Sequence, residues 1–193
     1  MEDPLWNLEG EKVALGPLRR ELLPLYTRWM NDFEVVRTLG RGMAPRTDEA
    51  QAQWFEEAAN GADPKRVLFT VYEGATKRPV GTAGLHNVDH VNRTAIFGIC
   101  LGEKDCWGKG YGTETTRLVL DYAFTALGLH AVRLHVFDYN ERGLRAYARA
   151  GFKLVGRLRE AKRLGGRAHD EVVMDCLATE FESPVLGRKL LER

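Results

Sequence analysis

The sequence is short of the features that assign a chain to a class at sight. Its three cysteines, Cys100, Cys106 and Cys176, are odd in number and form no Cys-x-x-Cys pair, so neither a disulfide framework nor a zinc site is indicated and a reducing cytoplasm fits. No apolar run approaches the length of a bilayer crossing, and the opening Met-Glu-Asp-Pro-Leu-Trp lacks a basic stretch followed by an apolar one. Neither membrane insertion nor export is expected. Net charge is scarce as well, at +1, which gives no bulk attraction to nucleic acid or to a membrane. Repeats, low-complexity tracts and a dividing linker are missing, and one domain over residues 1–193 is expected for this length.

What charge there is lies unevenly. Residues 1–63 hold twelve acidic and seven basic side chains, whereas residues 141–167 hold nine basic and two acidic ones. Folded into one domain, such a chain has one end suited to cations and another suited to phosphates, although solvated surface charge produces the same tally.

The periodicity gives a first strand at Val13 to Leu18 and an amphipathic helix over Glu21 to Met30, with Leu22, Leu25, Tyr26 and Trp29 at helical spacing. Residues 40–46 read as a loop, and Thr47 with Asp48 and Glu49 opens a second helix that ends near Asn60-Gly61. Three extended runs follow, Val67–Tyr72, Val80–Leu85 and Thr94–Leu101, with short polar separators that predict an antiparallel meander. Val119, Tyr122, Ala123 and Ala126 share a helical face that stops at Gly128, and Ala131–Phe137 alternates as a strand. From Asn140 to Ala150, Leu144, Tyr147 and Ala148 lie on one helical face and Arg142, Arg145 and Arg149 on another, with Gly151 closing the helix. Asp170–Leu177 is the final strand, after the turn Leu164-Gly165-Gly166-Arg167.

The segment from Cys100 to Glu114, with Trp107-Gly108-Lys109-Gly110-Tyr111-Gly112-Thr113 at its centre, leaves a strand, crosses a glycine-rich loop and enters a helix. Glycines let the backbone approach an anion closely, and the first unpaired N–H groups of the helix converge on its charge. A pyrophosphate fits such a loop, and a turn that merely joins strand to helix has the same letters. A P-loop is excluded by the missing Gly-Lys-Ser/Thr ending, and a dinucleotide fingerprint belongs in an N-terminal parallel βαβ unit rather than after a meander.

This segment resembles the acetyl-CoA loop of the GNAT superfamily of N-acetyltransferases, written Gln/Arg-x-x-Gly-x-Gly/Ala. Trp107 stands at the first position, the form seen in the branch of ribosomal-protein N-terminal acetyltransferases of the RimJ/RimL type. Asn140-Glu141-Arg142-Gly143-Leu144-Arg145-Ala146-Tyr147-Ala148-Arg149-Ala150-Gly151-Phe152 is similar to the family's Asn-x-x-Ala/Ser-x-x-x-Tyr-x-x-x-Gly-Phe helix. The resemblance runs from Val67 to Leu177, and the N-terminal third matches only in element order.

The resemblance implies an α/β fold of the α+β type, the GNAT fold: a mixed, mostly antiparallel sheet of about six to seven strands, twisted and splayed at its centre, with helices on both faces. It implies acetyl-CoA as cosubstrate, no metal, and a primary-amine acceptor: a ribosomal or other protein N-terminus, a polyamine or an antibiotic. It also allows a homodimer. Tyr147 takes the place of the general acid. Trp107, Gly108, Lys109, Gly110, Tyr111, Gly112 and Thr113 hold the pyrophosphate, Cys100 and Leu101 offer backbone groups to the pantetheine arm, and Asn140 and Arg145 contact the cofactor. Relatives often carry a glutamate where Phe97 stands and a serine at Gly143, which leaves Glu103, Glu114, His86 and His135 as base candidates. The missing glutamate also admits a non-catalytic acyl-CoA-binding regulatory module. The basic stretch from Arg142 to Arg167 admits an RNA-binding role.

Overall fold

A computed structural model describes residues 5–40, 42–59, 61 and 63–191. Asn60, where the second helix is expected to stop, lies outside them. Eight strands form one sheet: β1 (Leu8–Glu9), β2 (Val13–Gly16), β3 (Val67–Glu73), β4 (Pro79–Asp89), β5 (Thr94–Leu101), β6 (Ala131–Phe137), β7 (Lys153–Leu164) and β8 (Arg167–Leu177), in the order β1-β2-β3-β4-β5-β6-β8-β7. Every neighbouring pair is antiparallel except β5–β6.

Eight strands exceed the expected six to seven, and the excess lies where patterning is weak. β1 is two residues long. β7 is charge-rich, has two register shifts against β8 and leaves most of its side chains exposed, so its sequence does not alternate. Its glycine pair does the joining: Gly165 and Gly166 have φ of 57° and 78°, the left-handed conformation that a two-residue hairpin turn requires.

Strand alternation gives the sheet two different faces. On β3, Phe69 and Val71 enter the main apolar core with Leu118, Val119 and Leu120 of α4 (Tyr111–Asp121) and with Phe97 and Leu134. Between them Thr70 faces the other side, where its hydroxyl meets that of Tyr26, 2.6 Å away. There Tyr26 and Trp29 of α1 (Leu23–Asn31) pack with Phe55 of α3 (Asp48–Ala59), while the short α2 (Phe33–Val36) follows α1. Burying each such leucine or phenylalanine contributes about 1.5–3 kcal/mol. Helices thus cover both faces.

Helix α4 runs on into a π-helical turn, Tyr122–Ala126. Asp121, at the junction, is fully buried. It accepts hydrogen bonds from the Ser183 hydroxyl at 2.5 Å and from the backbone N–H groups of Val185 and Leu186 at 3.0 and 2.9 Å. One carboxylate therefore pins the segment that leads into α6 (Leu186–Leu191). Helix α5 (Glu141–Ala150) is capped as its sequence indicates: Asn140 Oδ1 accepts the Gly143 N–H at 3.0 Å, and Gly151 ends the helix with φ of 113°.

Candidate functional site

β5 keeps its ladder to β4 from the Asp89↔Thr94 pair to Gly81↔Leu101. Its other edge meets β6 in only three pairs, Thr94↔Ala131, Ala95↔Val132 and Ile96↔Arg133. From Phe97 to Leu101 the strands part, and the peptide groups on that edge lack a strand partner. Trp107 closes the far end of the gap, its indole Nε1 donating to the Leu101 carbonyl at 2.9 Å. Then come Gly108 and Gly110, with φ of 78° and 88°, and α4 begins. A left-handed backbone at both glycines turns the loop's N–H groups and those of the first helical turn toward one place.

The facing wall is α5. The Arg142 guanidinium lies over the Trp107 ring, 3.7 Å from its centroid. Burial and the nearby Arg37 hold the Arg142 pKa below its ordinary value. Tyr147 sits between Phe97 and Phe152, its ring centroid 6.1 and 6.2 Å from theirs. Part of the residue lines the gap, and no described residue hydrogen-bonds to its hydroxyl. Burial, with the Cys100 thiol nearby, pushes its pKa up to about 12, so it holds its proton throughout the neutral range.

The cleft between these walls has a volume of about 360 Å³. It brings together Cys100, Leu101, Trp107, Gly108, Gly110, Gly112, Thr113, Asn140, Arg145 and Tyr147. Arg145 also pairs with Glu141 at 3.0 Å. Two sequence candidates send their side chains elsewhere: the Tyr111 hydroxyl donates to Glu73 Oε1 at 2.6 Å, and Lys109 is absent from the lining. Several lining residues carry no sequence signal, notably Val35, Thr38 and Leu39 from around α2. Lys12 brings a further cation to the loop, its Nζ 3.4 Å from the Lys109 carbonyl.

The base candidates separate clearly. Glu114 accepts the backbone N–H groups of Glu11, Lys12 and Val13 at 2.6, 2.8 and 3.1 Å, so it holds the N-terminal hairpin to α4. Glu103 takes the Trp29 indole N–H at 2.8 Å and pairs with Arg28. His135 pairs with Glu171 at 3.2 Å and lines neither cleft. His86 lines a second cleft, where burial and Arg66 hold its pKa below the ordinary value. Phe97 faces Tyr147 on the α5 side, whereas Gly98 and Cys100 alternate onto the opposite face. A carboxylate at position 97 would thus point away from the second cleft, so its absence there leaves that cleft unchanged.

The second cleft, about 440 Å³, lies across β5 from the first and is walled by Tyr26, Trp29, Trp54, Leu68, Arg46 and His86 among others. Leu39, Ile99 and Cys100 line both. An extended molecule with an anionic end fits the first cleft, and a second molecule in the other would meet it at Ile99–Cys100.

Comparison with known proteins gives the family. A family model described as an acetyltransferase (GNAT) domain matches residues 12–153. A spermidine N(1)-acetyltransferase of Vibrio cholerae is 30% identical over 169 residues, covering 79% of this chain and 97% of its own. The spermidine N(1)-acetyltransferase of Escherichia coli K12 is 27% identical over 195 residues, covering 95% and 96%. A crystal structure of the Vibrio cholerae spermidine N-acetyltransferase in complex with CoA and spermine superposes with a TM-score of 0.80 at 24% identity, over 89% of this chain and 98% of that one. That last likeness is one of fold.

Proposed function

We infer, for a chain that belongs to the acetyltransferase (GNAT) family, that it is an N-acetyltransferase moving an acetyl group from acetyl-CoA directly to a primary amine. The observation that carries this reading is the meeting of two clefts at Ile99–Cys100, with the unengaged Tyr147 hydroxyl on the side of the first. The first cleft suits CoA: αL glycines and a helix N-terminus for the pyrophosphate, three arginines of α5 along one wall, and a strand edge that β6 leaves open for an extended amide-bearing chain. Asn140 and Arg145 are cofactor contacts in this reading. Lys109 and Tyr111 contribute through backbone only.

Cofactor bound there supplies an activated acetyl thioester. The amine nitrogen forms a bond to its carbonyl carbon, the carbon–sulfur bond breaks, and the sulfur leaves with the electron pair. Tyr147 donates its proton to that sulfur, and the proton shed by the amine nitrogen, relayed through solvent, restores the phenol. Burial that keeps the Tyr147 proton in place also penalises a bare thiolate, so the transfer coincides with charge development. N–H groups of β5 that face the gap stabilise the intervening oxyanion.

Two structural observations bear on partners. Leu154, Val155 and Leu158 on the edge strand β7 are 62%, 60% and 51% exposed, which supports a homodimer; light scattering of the purified protein checks it. Arg142, Arg145 and Arg149 line the first cleft, which favours CoA phosphate over RNA as their anion. The acceptor classes carried by resemblance are a protein N-terminus, a polyamine or an antibiotic, and the named activities of the relatives favour the small-molecule ones. Thiol release from acetyl-CoA across a panel of peptides, polyamines, aminoglycosides and amino acids tests the reading. Cofactor binding without release on any amine would replace it with a regulatory acyl-CoA-binding module.

A further inference from the structure

The second cleft has a chemical character that the meeting of the clefts does not by itself require. Its described lining contains no carboxylate. Its walls are aromatic and aliphatic: Trp29, Trp54, Met30, Leu39 and Leu68. Against them, among the described lining, stands one guanidinium, Arg46.

Arg46 is held in place from behind. Asn31 clamps its backbone in both directions, accepting the Arg46 N–H and donating to the Arg46 carbonyl, both at 2.8 Å. One terminal nitrogen, Nη2, donates to the Ala50 carbonyl at 3.0 Å. The Nε–H is buried and has no hydrogen-bond partner, and no described carboxylate pairs with the group. A half-buried guanidinium without a counter-ion is costly, and an unsatisfied buried N–H adds to that cost. An anion inside the cleft supplies the missing counter-charge. A polycation gains nothing there, since among the described lining it would face a like charge and no acid.

We propose that the acceptor is an amine that also carries a carboxylate, an amino acid or amino-acid-like molecule with an apolar or aromatic body. Its acid group lies against Arg46, its body lies between Trp29, Trp54 and Leu68, and its amine reaches Ile99–Cys100, where the two clefts join. His86 stands on the same face as Gly98. A Cβ at Gly98 would lie 3.3 Å from its Nε2, so the missing side chain leaves the imidazole open to the cleft. Among the described lining it is the one imidazole, and burial with the nearby Arg66 favours its neutral, proton-accepting form, so it receives the proton the amine sheds. The proposal rests on the acetyltransferase reading, and it departs from the polyamine specificity in the names of the relatives.

The test compares matched acceptors: phenylalanine, phenylalaninamide and phenethylamine; leucine, leucinamide and isoamylamine; and spermidine. Both kcat/KM by thiol release and binding to the CoA-loaded protein by calorimetry are measured. The acid form should exceed its amide and its decarboxylated amine by roughly 10- to 100-fold, the worth of a charge-assisted hydrogen bond. Arg46→Met should erase that preference, Arg46→Lys should restore part of it, and acetyl-CoA affinity should stay unchanged in both. Spermidine or phenethylamine used or bound as well as phenylalanine would overturn the proposal. Binding of the acids without any thiol release would sustain the acid-binding cleft and sink the catalytic reading. The wild-type ligand comparison stands even if the Arg46 variants fold poorly.

Discussion

The ring of Phe97 meets that of Tyr147 edge-on, with centroids 6.1 Å apart and planes 82° from parallel. A strand residue thereby fixes the direction of a helix residue across the place where the sheet opens. Phe97→Ala should lower stability by about 3–5 kcal/mol. Phe97→Leu, which keeps most of the bulk, should fold yet lose turnover with acetyl-CoA affinity little changed, because only the orientation of the hydroxyl suffers. Equal losses in kcat and in affinity would argue against that positioning role.

Removing the hydroxyl itself is the sharper change. Tyr147→Phe should cut kcat by about 100- to 10,000-fold, the usual span for a general acid, while calorimetry finds acetyl-CoA bound as before. Unchanged turnover with a good acceptor would remove Tyr147 from the chemistry.

Trp107→Phe deletes one donor, the indole N–H on the Leu101 carbonyl, and keeps the ring under Arg142. The mouth of the first cleft loosens, so KM for acetyl-CoA should rise several-fold. Unfolding free energy should fall by only about 0.5–1.5 kcal/mol, one hydrogen bond's worth.

Glu114→Gln keeps the shape but loses the charge that three backbone N–H groups share. Chemical denaturation should register a loss of about 1–3 kcal/mol, and kcat per folded molecule should hold. A collapse of kcat with stability intact would return Glu114 to the candidates for general base.

Alkali should unfold the protein through its tyrosines. Tyr26 and Tyr147 are raised mainly by burial and Tyr111 mainly by its bond to Glu73, each to about 12 from an ordinary 10.0. Folded-state values above the unfolded one mean that the unfolded chain releases protons first. Their stabilising contribution is therefore complete below pH 10 and is lost as pH rises toward 12. Denaturation midpoints measured across that window should fall, and less steeply for Tyr26→Phe.

The parts of this molecule that the sequence reveals are those in which local chemistry and tertiary role coincide. Asn140 reads as a helix cap and is one, and Gly108 and Gly110 read as special backbone and have positive φ. β7 escapes because two register shifts and exposure on both faces erase alternation, leaving only its Gly-Gly turn visible. The second cleft escapes for a different reason: Trp29, Arg46, Trp54, His86 and Cys100 belong to separate elements, and no spacing rule joins them. Glu114 lies between these cases. Its place in the first turn of α4 is legible, but its partners lie about a hundred residues away in the N-terminal hairpin.

A sheet that stops pairing in its middle creates two inward-facing edges, and open edges are where proteins recruit stray strands and aggregate. Here the gap between β5 and β6 is roofed by Tyr147 and closed at one end by Trp107 and Arg142. In the proposed reading the cofactor's amide-bearing arm fills this opening and occupies the hydrogen-bonding groups that a stray β-strand would otherwise use.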